Sequence, residues 1–234
     1  MFEKIKVIFH RSREILTEGI LGAEIQKQIF WNKIATPVEM DLCTLPPNIN
    51  IYQDTEYKFV ELKLADLQTE KWVVPLSSRR MKAFQFFKKG WRNFAIIKDS
   101  TVVGDVWCVT FPRGLAYHMH PDLKMLGIQY KEGEAYGFDM LIDPAYRGKN
   151  LAVPLHRHLQ VSLKNEGFTK VYGYYWNDNL PALWMHRMIK FHELPKRRVS
   201  RFFAIIYARF LNQTGPSIQA SQKSASRDSS EDKS

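Results

Sequence analysis

The chain has 234 residues, of which 45% are apolar and 13% aromatic, enough for one sizeable domain with appendages and too apolar for an unstructured chain. No run approaches the roughly 18 to 20 apolar residues of a membrane span, and Glu3, Lys4, Lys6, Arg11 and Arg13 break up any secretory signal core. Two cysteines, Cys43 and Cys108, make neither a disulfide framework nor a zinc site, so a reducing, cytoplasmic setting is expected. The net charge of +10 lies outside the neutral tail and suits nucleic acid, an acidic surface or a phosphorylated ligand.

In chain order, Phe2, Ile5, Ile8, Phe9, Ile15, Leu16, Ile20 and Ala23 recur at helical spacing. That helix either docks on the main domain or rests on a membrane or partner. Pro46-Pro47-Asn48-Ile49-Asn50 reads as a linker, so residues 1–50 are expected to be an N-terminal helical extension and linker. An alternating pattern follows over 51–211. A strand is predicted over Lys58–Leu64, a helix over Ser77–Lys89 closed by Gly90, and a hairpin of Phe94–Lys98 and Val102–Thr110 about Asp99-Ser100. A long connection runs from Phe111 to Gly133. Then come a strand over Tyr136–Ile142, a helix over Leu151–Glu166, a strand over Thr169–Tyr175, a helix over Leu180–Ile189 and a last strand over Val199–Tyr207. Strand–helix–strand around 136–175 implies a parallel pair with a right-handed crossover. The tail, 212–234, is rich in Ser, Gln, Lys and Asp and reads as disordered.

Two segments carry chemistry. The first, Met140 to Ala152, leaves a strand, turns at Asp143-Pro144 and enters a helix through Tyr146-Arg147-Gly148-Lys149-Asn150. Such a loop gathers free backbone N–H groups at a helix N-terminus, where the dipole adds positive charge: a pyrophosphate cradle. Arg147 and Lys149 bring full charges beside it, and Pro154 falls in the first turns, where a missing N–H costs least. An ordinary basic turn is the competing reading. In the second segment Asn179 is a plausible cap for Leu180–Ile189, and His186 lies two turns further on roughly the same face.

Together these segments resemble the GCN5-related N-acetyltransferase (GNAT) superfamily. Its acyl-CoA signature of Arg or Gln, two residues, Gly, one residue, Gly or Ala reads here as Arg147, Gly148-Lys149, Asn150, Leu151, Ala152. Its Asn-x-x-Ala-x-x-x-Tyr motif with a later Gly-Phe reads as Asn179, Ala182, His186 and Lys190-Phe191. The resemblance implies an α/β fold with a central mixed sheet, splayed parallel fourth and fifth strands, and flanking helices. It further implies that Met140, Leu141 and Ile142 meet the pantetheine arm, and that Arg147, Gly148, Lys149, Asn150, Leu151, Ala152 and Val153 hold the pyrophosphate. Asn179 would bind the pantetheine side, and His186 would stand where the family has its proton-donating tyrosine. Asn150, His186 and Lys190 depart from the pattern.

The activity so implied is acyl transfer, acetyl first, from acyl-CoA to a primary amine by direct attack, with no metal. The alternative is a non-catalytic GNAT-fold protein that binds acyl-CoA or a partner. Nucleic-acid binding has only the charge behind it. Asp139, on the strand entering the loop, and Glu134 before it are the candidates for a general base; strand alternation sets Asp139 opposite Phe138 and Met140. His118 and His120 lack a carboxylate or cysteine partner and read as loop histidines, while His156 and His158 fall on different helix faces. Tyr172, Tyr174, Tyr175 and Trp176 line an acceptor pocket or belong to the core. Lys196, Arg197, Arg198 and Arg201 read as a solvated turn, with a contact to the CoA 3′-phosphate or to nucleic acid as the alternatives, and Phe202 to Tyr207 as a buried strand. The expected oligomeric state is monomer or homodimer.

Overall fold

The computed structural model describes residues 30–46, 56–111, 119–202 and 205–211. The helix expected over 2–24, most of the 46–50 linker, the 212–234 tail and His118 lie outside the described residues.

The first strand, β1 (Phe30–Asp41), ends in a 3-10 turn at Leu42–Thr44 capped by the Asp41 carboxylate. β2 (Lys58–Leu62) leads through a short helix α1 (Leu64–Gln68) to α2 (Ser77–Phe87). β3 (Arg92–Lys98) and β4 (Thr101–Phe111) form the expected hairpin; Asp99 and Ser100 both take positive φ (47° and 62°), the sense that matches the twist of paired strands. The long connection contains α3 (Pro121–Leu126) before β5 (Glu134–Ile142). Then follow α4 (Ala152–Asn165), β6 (Lys170–Trp176), α5 (Leu180–Met188), β7 (His192–Glu193), β8 (Arg197–Phe202) and β9 (Ile205–Phe210).

One mixed sheet runs β2-β3-β4-β5-β6-β1-β8-β9, with β7 also on β1. Among the described strands only β5 and β6 pair in parallel. They are the fourth and fifth strands of the sequence reading, moved one place by β1. Alternation along β4 sends Val106 and Cys108 to one core and Trp107 and Val109 to the other. The first core is covered by Leu155, Leu159 and Leu163 of α4 with Met185 of α5 and Ile189 at its C-terminal cap. The second is covered by Ala83 of α2 with Leu123 and Leu126 of α3.

Three expectations are corrected. The domain does not begin at residue 51, because β1 lies inside the sheet, antiparallel to β6 on one side and to β8 on the other. Its Pro37 is tolerated there because the neighbour changes from β8 to β7 at that point, so no ladder bond needs the missing N–H. The single last strand over Val199–Tyr207 is a hairpin, β8 and β9, and Ile206 and Tyr207 are exposed, since β9 is the sheet's edge. Arg197 and Arg198 sit in β8 rather than in a turn, and Arg197 is buried with its guanidinium 3.8 Å over the Phe210 ring.

Candidate active site

β5 and β6 pair only from Glu134–Lys170 to Tyr136–Tyr172. Beyond Tyr136 the strands part, leaving the backbone edge of β5 from Gly137 onward without a strand partner on that side. At the same level β5 bulges: Phe138 faces Trp107 and Leu141 faces Asp105, so Asp139 and Met140 together oppose Val106. Asp139, within the bulge, has φ 50°. The gap is a cleft of about 830 Å³ walled by β5, β6 and the N-terminal ends of α4 and α5.

The expected acyl-CoA residues are brought together with two exceptions. Met140, Leu141, Ile142, Arg147, Gly148, Asn150, Leu151, Ala152 and Asn179 line the cleft; Lys149 and Val153 do not. Lys149 holds its ammonium 5.1 Å over the Tyr146 ring, and Val153 packs against the core beneath α4. The start of α4 has Leu151 at its cap position and no side-chain cap, so its first N–H groups stay available to an anion. Gly148 has φ 80°, and a Cβ there would meet nothing within 4 Å, so the loop borders open space at that turn. Asn179 does cap α5, its Oδ1 accepting from Ala182 N at 3.2 Å.

His186 is buried, and its Nδ1 lies 2.7 Å from the Ala182 carbonyl. A carbonyl only accepts, so Nδ1 carries the proton and Nε2 is left as a lone pair near Gly173 of β6. Burial lowers its pKa against the weaker opposing effects of Ala182 and Glu193, which keeps the ring neutral. His156 of α4 also lines the cleft, 5.7 Å from His186 between ring centroids. Burial, then the neighbouring His186, pushes it down to about 3, and its Nδ1 is sealed with no hydrogen-bond partner. His158 turns the other way, toward the rings of Phe59 and Phe94.

Asp139 lines the cleft, but its carboxylate is taken. Lys82 Nζ donates to Oδ2 at 2.8 Å and Arg79 Nη1 to Oδ1 at 3.3 Å, while Arg79 Nη2 donates to the Asp139 carbonyl at 2.7 Å. Burial alone would raise this pKa; the charges of Arg79 and Lys82 outweigh it and lower it. Arg79 also grips the buried Asp105 at 2.6 Å, whose other oxygen accepts from Asn93 at 2.9 Å. These partners escaped the sequence reading. The three-residue spacing of Arg79 and Lys82 marks one helix face, yet nothing in it says which strand that face meets. Glu134 stands at the paired end of the strands, accepting from Tyr172 at 3.1 Å, away from the cleft. Tyr174, Tyr175 and Trp176 line the cleft; Tyr172 does not. Among the described residues no three His, Cys, Asp or Glu side chains gather to hold a metal, and no helix is long and apolar enough to cross a membrane.

A family model described as acetyltransferase (GNAT) family matches residues 62–191. The chain belongs to that family. No curated protein matches it. Among solved structures it is similar to a GCN5-related glucosamine N-acetyltransferase region of a fungal multi-domain β-N-acetylglucosaminidase, with TM-score 0.53 and 14% identity over 77% of this chain and 22% of that one. A Drosophila protein gives TM-score 0.46 and 9% identity over 76% of this chain and 54% of its own. This chain therefore spans about half of that relative. A GNAT-family acetyltransferase from Colwellia psychrerythraea gives TM-score 0.48 and 13% identity over 74% and 56%.

Membership explains two of the departures. Asn150 and Lys190 stand where the GNAT pattern has glycine, and both adopt positive φ, 56° and 63°. The backbone shape is kept, at a local strain of about 1 kcal/mol for a residue such as lysine.

Proposed function

We propose that the protein transfers the acetyl group of acetyl-CoA to a primary amine. The observation that carries this reading is the junction of the splayed β5–β6 edge with the uncapped start of α4. Two amides of a pantetheine arm would complete the open β5 edge as a further strand does, and the pyrophosphate would meet the α4 N-terminus beside Arg147. The cleft reaches the bulge at Asp139 and Met140, which is where the thioester would end. There the neutral amine nitrogen attacks the carbonyl carbon and gives up a proton to water in the cleft, the C–S bond breaks, and the sulfur leaves with its electron pair and takes a proton back from that water.

Asp139 is assigned to shaping the bulge rather than to deprotonating the amine. Its carboxylate already binds two cations, and its lowered pKa makes it a weak base. A neutral His186 with its proton on Nδ1 has none to give from Nε2. We therefore assign the thiolate's proton to water in the cleft, and His186 to seating α5 on β6.

Acetyl-CoA at 100 times its dissociation constant should stabilise the fold by about 2.7 kcal/mol, a rise in Tm of roughly 5–11 °C. Thiol release from acetyl-CoA should accelerate with some member of a panel of polyamines, amino sugars, amino acids and peptides. No thermal shift at millimolar acetyl-CoA would overturn the reading. A shift without turnover across the panel would make the protein a binder.

A further inference from the structure

The positive charge of the chain is concentrated at one edge of the sheet. From Lys196 to Leu211 the sequence has five Lys or Arg residues and no Asp or Glu, half of the +10 total in one hairpin. Arg198 of β8 and Arg209 of β9 stand directly opposite each other, a like-charge pair that costs stability until something outside neutralises it. Among the described residues no carboxylate pairs with Lys196, Arg198 or Arg209. Glu193, the acid that feels Lys196, is already held by the Tyr175 hydroxyl at 2.8 Å and by Arg187 at 3.4 Å.

The same edge is apolar. β9 ends the sheet, and its Ile206, Tyr207 and Phe210 side chains are 51%, 66% and 58% exposed. Alternation sends Ile206 and Phe210 to one face and Tyr207 to the other, so the rim carries large apolar groups on both sides. Edge strands are normally guarded by charge, proline or a covering element. A second copy of the chain is a poor cover for this one, since it would bring the same cations and no acid. The edge instead fits an anionic surface that also admits apolar groups. The head-group boundary of an acidic bilayer is such a surface: it attracts Lys and Arg and takes apolar side chains to a depth of about 5–10 Å. A second apolar element starts from the same end of the sheet. Phe30, the first residue of β1, pairs with Phe202 of β8, and the helically spaced apolar residues of 2–24 come shortly before it in sequence.

We propose that the β9 edge is a peripheral docking site for an anionic phospholipid surface. Ile206, Tyr207 and Phe210 enter the head-group boundary, while Lys196, Arg198 and Arg209 meet the acidic head groups. Phosphate oxygens and water there accept from the free backbone N–H groups of the edge, which hydrocarbon could not do. The site is separate from the cleft and stands whether or not the protein transfers acetyl groups.

The probe is vesicles of phosphatidylserine and phosphatidylcholine in equal parts, compared with phosphatidylcholine alone, co-sedimented with the full chain. The mixed vesicles should carry the protein down and the neutral ones should not. Salt at about 1 M, where the Debye length is about 3 Å, should release it. Each cation near such a surface is worth about fivefold in partition, so Lys196→Gln combined with Arg209→Gln should weaken binding about 25-fold. Ile206→Asp should weaken it about tenfold. Both variants should keep the CoA-induced thermal shift, since none of these residues lines the cleft. Should a variant fold poorly, hydrogen exchange of the unmodified protein decides: the amides of Ile205–Phe210 should slow on adding mixed vesicles. Equal sedimentation with both vesicle types, binding that survives both variants, or unchanged exchange along β9 would overturn the proposal. So would slowing that needs no vesicles and grows with protein concentration, the mark of a second copy. Slowing by polyglutamate or a single-stranded oligonucleotide, with none by the vesicles, would overturn it in favour of a soluble polyanion.

Discussion

Arg79 fastens α2 to the bulge, and its removal tests whether that clamp is as costly to break as its burial implies. Arg79→Met keeps a similar apolar stem and deletes the charge. It strands Asp105, whose side chain is only 8% exposed and whose cation lies at 2.6 Å. Removing one partner of a buried pair costs about 3–5 kcal/mol, which for a domain of this size lowers the Tm by roughly 6–20 °C. The sign of the pH dependence follows from Asp105. Burial raises its folded pKa above 3.8 even with Arg79 pulling it down, and losing Arg79 raises it further. A carboxyl with a raised folded pKa is stabilising when protonated, and that contribution is lost as pH rises through the folded value. The penalty of Arg79→Met should therefore be largest near pH 7.5 and shrink toward pH 5. Adding Asp105→Asn should recover most of it, because the amide oxygen still accepts from Asn93 Nδ2. Urea unfolding of the two variants across that pH range is the assay. A single-variant cost below about 1 kcal/mol at pH 7.5, or one that does not shrink in acid, would refute the reasoning.

His156→Phe should act with opposite signs on stability and ligand. Its folded pKa of about 3 against 6.5 unfolded means stability is lost as pH falls below 6.5. This one residue accounts for about 2 kcal/mol between pH 7 and pH 5, and the variant should lack that slope in acid urea titrations. Filling the place of a sealed, unpartnered nitrogen with carbon should also stabilise the unliganded protein, while calorimetry shows acetyl-CoA binding weakened at the altered cleft wall. His186→Phe should keep kcat within about threefold, whereas a proton donor would cost 10²–10⁴. A selective fall in kcat at unchanged acetyl-CoA affinity would return His186 to the proton-donor role.

The sheet was legible wherever a strand stood next to a turn or helix signal. Gly90, Asp99-Ser100 and Gly167 punctuate the chain where the structure ends or reverses an element, and Gly90 and Gly167 take φ of 72° and 86°. β1 had no such signal. Its run Phe30 to Asp41 mixes Lys33, Thr36, Pro37 and Glu39 with apolar residues, and Pro37 argues against an interior strand on local grounds. Only tertiary context, the change of neighbour from β8 to β7, makes that proline harmless. The β8–β9 hairpin was hidden for the converse reason: Phe202 to Tyr207 is apolar without a turn residue, so the reversal leaves no compositional mark.

The site divides in the same way. The course of the loop after β5 was legible because its signals are local: a strand, a turn, glycine and a helix start follow one another in sequence. What decides proton traffic was not legible, because it depends on partners from other elements. Asp139 reads as a base on β5 alone and becomes an ion-paired wall once Arg79 and Lys82 of α2 arrive. His186 reads as a proton donor from the motif alone, which carries no sign of the Ala182 carbonyl 2.7 Å from its Nδ1. A spacing rule sees charge type and helix face; it cannot see which charges cancel.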